Sequence, residues 1–358
     1  MSTLRYIVEK EKIAHNVGIL RQCVGSKRIY AVLKADGYGL GCEALAAVYG
    51  ENGLHCFAVT DAEEAAAVAG AGLEVEELLL MSSATPEDIP TLASMGVTFT
   101  VASVQDAENL ADFSVRAHIK VDTGMGRRGF QQSQIEQIVQ LYDRFPNIRF
   151  TGIYTHFSDG GSKKTCRAQF ERFRSVLSAL EKRGIKPGIR HCCNSLATFH
   201  QSGMMLDGVR VGSALLGRIA GASRFGLQRT GVCQAPIESV RTVAKGTQIG
   251  YGSVFRCSRE IRVALCPIGT HHGFGIITNS GEQNLIPAIL SVLRLIKSRA
   301  TGRSVPAAQI HGKRCKALGC ICSEATMLDV TDVPCCAGDV AAFDINPILL
   351  HNVLVEFI

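Results

Sequence analysis

Along the first two-thirds of the chain, short apolar runs alternate about eight times with longer amphipathic stretches, and this alternation constrains the fold most. A strand buried on both faces reads as a near-continuous apolar run, whereas a surface helix carries apolar residues at spacings of three and four. The strand-like runs are IYAVLK (29–34), HCFAV (55–59), EELLLM (76–81), TFTVAS (98–103), RAHIKVD (116–122), RFTGIYTHF (149–157), GIRHCC (188–193) and MLDGVRVG (205–212). Between them lie stretches such as DAEEAAAVAGAG, TPEDIPTLASMG and QIEQIVQLYDRF, with an N-cap or acidic start and then helical spacing. Strand then helix, repeated in this way, predicts a (β/α)8 barrel rather than a sandwich.

After about residue 228 the texture changes to short β-type runs between Gly-rich turns: VRTVAKGTQIGYG, EIRVALCPIG, KRCKALGCI, TMLDVT and DVAAFDI. The expected organisation is therefore a barrel over 1–227 and a mostly β domain over 228–358. One segment, NLIPAILSVLRLIKSRA (284–300), has helical spacing and reads as a packed helix. The net charge of +6 is spread along the chain, with no dense Lys/Arg tract, so a nucleic-acid partner is not expected. The nearest charge run, GKRCK (312–316), reads as a solvated turn. No apolar stretch is long enough to span a bilayer, and MSTLRYIVEK lacks the apolar core of a signal peptide, so a cytoplasmic location is expected. The fourteen cysteines are scattered, several within apolar runs, and none shows paired CxxC spacing; buried free thiols are expected, and no metal.

In a (β/α)8 barrel, chemistry sits at the C-terminal ends of the strands. Polar residues fall there repeatedly: Lys34 after the first run, Lys120 and Asp122 after the fifth, His156 after the sixth, Asn194 and Ser195 after the seventh, Arg210 after the eighth. Lys34 is either a salt-bridge partner or an amine that forms a Schiff base with a carbonyl. The segment from Arg210 through Gly212 and Ser213 is either a tight turn or a cradle of backbone N–H groups and a hydroxyl for phosphate, with Ser195 serving the same anion. A Schiff-base lysine and a phosphate cradle in one barrel together suggest pyridoxal 5′-phosphate.

These motifs carry a resemblance to a known family. AVLKADGYGLG (31–41), HIKVDTGMGRRGF (118–130), YTHFS (154–158), HCCNSLAT (191–198), DGVRVGSALLG (207–217), GYGSVF (250–255), ALCPIG (264–269) and GKRCKALGCICSEATMLDVTDVPCCAGD (312–339) follow one another as in alanine racemases. The resemblance implies an N-terminal barrel, a C-terminal β domain, bound pyridoxal phosphate and a homodimer with shared active sites. It implies that Lys34 holds the cofactor and is one acid/base group. Tyr251, reaching the site from the other subunit, is the second. Tyr38 and Ser195 would bind its phosphate, along with the backbone at Gly212 and Ser213, and Asn194 would bind the cofactor too. His156 would pack by the pyridine ring, and Arg210 would face its nitrogen. Arg127 would steer the substrate carboxylate, with Ser323 beside it. Lys120, often carbamylated in the family, would orient Arg127. A guanidinium only donates, so the ring nitrogen it meets must accept and be unprotonated.

The chain departs from the family at the substrate end. IGTHHGFG (268–275) puts Thr270 where an inner-gate tyrosine is usual, and GCICSEA (319–325) brings Cys320, Ser323 and Glu324 in place of an arginine, a methionine and an aspartate. The tail offers Leu349 or Phe357 but no gate tyrosine, and the segment around 275–308 is longer than usual. His271 and His272 read as exposed loop residues or as titratable groups near the pocket. Alanine is the first substrate expected, with serine or a basic amino acid as the alternative. A cofactor-binding protein without turnover is the remaining one. Decarboxylases of basic amino acids share the two-domain plan, but no WGPTCD-like segment is present.

Overall fold

The computed structural model describes residues 4–276 and 305–358. The chain divides into two compact units, one spanning Lys10–Thr230, the other combining the segment up to Glu9 with Gly231–Ile358. Strand β1 (Arg5–Val8) therefore belongs with the C-terminal segment.

Eight strands follow in the first unit: β2 (Arg28–Val32), β3 (Cys56–Val59), β4 (Glu77–Leu80), β5 (Thr98–Val101), β6 (Val115–Lys120), β7 (Ile148–Tyr154), β8 (Ile189–Cys193) and β9 (Gly208–Val211). All pair in parallel and close into a barrel, with Tyr30 opposite Arg210 where β2 meets β9. Each of the eight apolar runs thus forms a barrel strand. Helices cover the barrel, as parallel pairing requires. Asp61 caps Ala62–Gly70 by accepting from Glu64 N at 2.8 Å. The Lys163–Glu181 helix buries Phe173, Val176, Leu177 and Leu180, each worth about 1.5–3 kcal/mol.

Side chains alternate across a strand, so residues two apart share a face. One such face packs Tyr30, Val32, Cys56, Ala58 and Leu79 together. The same alternation sets Glu77 beside Leu79 and His118 beside Lys120, and His191 in β8 is buried as well. The barrel interior is therefore rich in polar groups, which must find partners there.

The second unit continues with β10 (Gly231–Pro236), β11 (Ser239–Val243), β12 (Gln248–Ile249), β13 (Phe255–Arg256), β14 (Ile261–Cys266), β15 (Ala307–Ile310), β16 (Lys313–Lys316), β17 (Thr326–Asp329), β18 (Val340–Phe343) and β19 (Leu354–Phe357). Six form a sheet in the order β16-β15-β18-β10-β1-β19, and three more pair as β11-β14-β17. The charge run at 312–316 is not a solvated turn: Lys313–Lys316 is an edge strand, with Cys315 buried between exposed basic neighbours. Exposed positive charges on an edge strand keep it from pairing further. Most of the long 275–308 segment, including the helix expected at 284–300, lies outside the described residues. All fourteen cysteines are free, nine of them buried. Among the described residues, no helix is long and apolar enough to cross a membrane.

Candidate active site

A cavity of about 670 Å3 opens at the C-terminal ends of the barrel strands, lined by Lys34, Tyr38, Lys120, Arg127, His156, Asn194, Ser195, Arg210, Gly212 and Ser213. The barrel unit thus brings ten residues expected from the sequence around one space of the size that holds a small ligand.

Lys34 lies two residues beyond β2 and opens an unusual turn. Ala35, Asp36, Gly37 and Tyr38 have φ of 54, 48, 59 and 60°, a left-handed turn of four consecutive residues. Such a conformation costs roughly 1–2 kcal/mol for each residue bearing a Cβ. Several hydrogen bonds hold it: Gly37 N donates to Leu33 O (2.9 Å), Gly41 N to Asp36 O (3.0 Å), Cys42 N to Asp36 Oδ1 (2.8 Å) and Asp36 N to buried Glu64 (3.2 Å). The turn carries Tyr38 back toward β9, with Lys34 Nζ 5.8 Å from its ring centre. A Cβ on Gly212 would sit 2.1 Å from the Tyr38 hydroxyl, so only glycine admits the tyrosine there. Burial raises the Tyr38 phenol to about 12, against the lowering effect of a hydrogen bond from the Ser213 backbone, so the hydroxyl stays protonated and can donate.

Ser195 Oγ accepts from Gly212 N (3.0 Å) and Ala214 N (3.3 Å), which gathers backbone donors and two hydroxyls at one end of the cavity. Asn194 lines the cavity too, and its side chain is engaged locally. Its Oδ1 caps the Ser195–His200 helix through Ala197 N, and its Nδ2 donates to Phe157 O.

Arg210 is buried below the cavity. It donates from one terminal nitrogen to His191 Nδ1 (2.8 Å) and His191 O (3.3 Å), and from the other to Thr155 O (2.7 Å) and His156 Nδ1 (3.2 Å). Its guanidinium also lies 4.7 Å from the Tyr154 ring centre. Its Nε is buried without a partner. A buried N–H left unpaired costs about 1–3 kcal/mol, so the position calls for an acceptor. Burial, with Arg210, Arg127, Lys120 and Lys34 nearby, pushes His156 down to about 3, so its ring is neutral. Burial and the same guanidiniums lower Lys120 to about 8.

Arg127 is placed by a loop the sequence reading left unexplained. Asp122 Oδ1 accepts from the backbone of Gly124, Met125 and Gly126, and Oδ2 accepts from Arg127 N at 3.2 Å. Those donors outweigh burial and lower the Asp122 carboxyl. Arg172 ties the same loop through Thr123 O at 2.7 Å.

Tyr251 and Ser323 belong to the other compact unit. Tyr251 starts the short 3-10 helix Tyr251–Ser253 and is 75% exposed. Thr270 and His271 donate from their backbones to Cys322 O and Ser323 O. His272 is not an exposed loop residue: it is buried, and its Nδ1 accepts from Gly269 N at 3.2 Å. His271 pairs with Asn352 at 2.8 Å. Phe357 is a strand residue opposite Val8, and Leu349 ends a 3-10 turn.

Behind Arg210 lie His191, which accepts from it, and then His118 and Glu77, none of them singled out from the sequence. The two histidines stand in the quoted HIKVDTGM and HCCNSLAT motifs. Their signal was parity: His118 lies two residues before Lys120, on the same strand face.

Comparison with known proteins agrees with this geometry. The family model "Alanine racemase, N-terminal domain" matches residues 8–219, and "Alanine racemase, C-terminal domain" matches 232–289. An alanine racemase of Desulforamulus reducens is 32% identical, over 90% of this chain and 84% of that protein. The solved alanine racemase of Streptomyces lavendulae superposes with a TM-score of 0.83 at 22% identity, covering 100% of this chain and 98% of that one. That of Bartonella henselae, with covalently bound pyridoxal phosphate, gives 0.81 at 20% identity, with both chains covered at 100%. Two family models in chain order, placed on a closed barrel with its polar residues around one cavity, lead to one conclusion: this chain belongs to the alanine racemase family.

Proposed function

We propose that the protein is a pyridoxal-phosphate-dependent alanine racemase that moves a proton between Lys34 and Tyr251 across the substrate Cα. The observation that carries the reading is the set of complementary groups around one cavity. A lysine stands free at a strand end, a cradle of amides and hydroxyls lies at Tyr38, Ser195, Gly212 and Ser213, and the buried Arg210 Nε lacks an acceptor. These residues fit pyridoxal phosphate: a phosphate for the cradle, an aldehyde for the amine, a ring nitrogen for the guanidinium. When bound, that cofactor withdraws electrons from the substrate Cα and makes its hydrogen acidic.

The chain's own residues do the rest. Lys34 anchors the cofactor and exchanges a proton with one face of Cα. Tyr251 of the partner subunit does so on the other face, which makes the homodimer the working unit. Arg127, held by Asp122, takes the substrate carboxylate. Lys120 orients Arg127. Its lowered value leaves about a tenth of the amine neutral at pH 7, and that form can combine with carbon dioxide to give a carbamate and a proton. His156, held neutral, would pack by the cofactor ring without adding charge. Asn194 acts through the cap it provides to the phosphate-end helix.

Charge bears on the substrate alternatives. Lys34, Lys120, Arg127, Arg128 and Arg210 line the cavity with a single carboxylate, Asp159, and that carboxylate accepts from Gly161 N and Ser162 N. A second ammonium group on the substrate is repelled there. Among larger or more polar amino acids, serine is therefore the second reading, supported by Ser323 where the family has methionine.

Borohydride reduction of the purified protein with pyridoxal phosphate, followed by peptide mass spectrometry, tests the cofactor assignment. Stable label on Lys34 is expected. Label absent from Lys34 contradicts it.

A further inference from the structure

The barrel interior contains a continuous polar chain that begins at Arg210 and runs away from the cavity. Arg210 donates to His191 Nδ1 at 2.8 Å. His191 Nε2 lies 3.0 Å from His118 Nδ1. His118 Nε2 lies 3.1 Å from Glu77 Oε1. Glu77 Oε2 accepts from the Tyr30 hydroxyl and from Arg28, each at 2.8 Å. Both imidazoles are fully buried, and Glu77 nearly so. His191 is stacked between Tyr30 and Tyr154, with ring centres 4.9 Å away on each side.

The chemistry of the two ends fixes the direction of every proton between them. A guanidinium cannot accept, so His191 Nδ1 carries a lone pair and its proton sits on Nε2. That proton points at His118 Nδ1, which must be unprotonated. The proton of His118 then sits on Nε2, 3.1 Å from the Glu77 carboxylate at ion-pair distance but not aligned with it as a hydrogen bond. Reversing either tautomer would set two donors against each other at Arg210 or leave Glu77 short of one. Gly152 shows that space was made for this arrangement: a Cβ there would lie 2.5 Å from His118 Nε2.

We propose that Glu77, His118 and His191 are positioning residues that set the ring proton of each histidine on Nε2 and so hold Arg210 with its unpaired Nε toward the cofactor ring nitrogen. The chain starts at the N-terminal ends of β2 and β4, with Arg28 and Glu77, and finishes at Arg210 beside the cavity. Burial supports it, keeping His191 well below its ordinary value, as does the charge of the Arg210 guanidinium. The consequence is chemical. With Arg210 fixed as donor, the ring nitrogen stays unprotonated and the cofactor remains a weak electron sink. Loosening Arg210 lets that nitrogen take a proton. More substrate is then lost to half-transamination, in which the amino group leaves on the cofactor as pyridoxamine phosphate and the amino acid leaves as its oxo acid.

The proposal rests on the cofactor reading, and pyridoxal-phosphate absorbance of the unaltered protein tests that reading separately. The relay is tested on the full chain labelled with 15N-histidine, with His118 and His191 assigned through His118→Gln and His191→Gln. Both rings should show the Nε2–H tautomer from pH 6 to 9. A protonated ring or an Nδ1–H form at either position overturns the proposal. In the holoenzyme, Glu77→Gln and Gly152→Ala should raise pyridoxamine phosphate formed per racemisation by at least roughly fivefold, the scale of one hydrogen bond. Glu77→Asp should restore part of it. An unchanged ratio in variants with native circular dichroism overturns it as well. If a variant does not fold, the tautomers of the unaltered protein decide the matter.

Discussion

The hydroxyl of Tyr38 occupies the space that a side chain at residue 212 would need: a Cβ on Gly212 would approach it to 2.1 Å. The left-handed turn after β2 and the end of β9 are thereby fitted to each other, and both serve the phosphate end of the cavity. Gly212→Ala should displace Tyr38 and raise the dissociation constant for pyridoxal phosphate by about tenfold, equivalent to about 1.4 kcal/mol. A spectroscopic titration reads this directly, and an unchanged constant would contradict the assignment.

Asp122 acts on Arg127 through the backbone of their loop. Asp122→Ala should therefore raise KM for alanine several-fold while kcat changes less, since binding of the carboxylate loses its placement. Steady-state kinetics at saturating cofactor separates the two. An equal fall in kcat with KM unchanged would place Asp122 in the proton transfer instead.

Lys120 is lowered to about 8 by burial and by the cations around it, so its neutral fraction rises from pH 7 to 9. With 13C-bicarbonate, a carbamate signal should appear in the native protein and be missing from Lys120→Met. No signal at any pH in this range would leave Lys120 acting as an amine.

Glu77 gives a stability prediction. Burial would raise its carboxyl, but the neighbouring His118, the Tyr30 hydroxyl and the charge of Arg28 overcome that and lower it. A depressed carboxylate stabilises the fold above its unfolded value, and that contribution disappears as pH falls through the folded one. The stabilisation should thus be complete above about pH 4.5 and be lost progressively as pH falls below it. Urea unfolding between pH 5 and 3 should be steeper in pH for the native protein than for Glu77→Gln. Equal slopes would contradict the pairing.

What could be read in the sequence follows from burial. Parallel barrel strands are buried on both faces and read as mostly apolar runs, so all eight stood out, and the polar residues at and just beyond their ends stood out against that background. Lys34 and Arg210 were legible for this reason. Strand β1 was hidden because its four residues, RYIV, give little signal alone and pair with β10 and β19 more than two hundred positions away. The turn at 35–38 was hidden too, since three of its four left-handed residues are not glycine. The chain from Glu77 to Arg210 draws on four strands, and only closure of the barrel brings them together.

The most direct test of the central claim is incubation of the holo-protein with L-alanine in deuterium oxide, followed by NMR at Cα and chiral analysis of the same sample. The account predicts deuterium at Cα together with D-alanine, both abolished in Lys34→Ala. With Tyr251→Phe, it predicts loss of the exchange that requires the second face. Cofactor bound at Lys34 with neither deuterium nor D-alanine formed would contradict the claim.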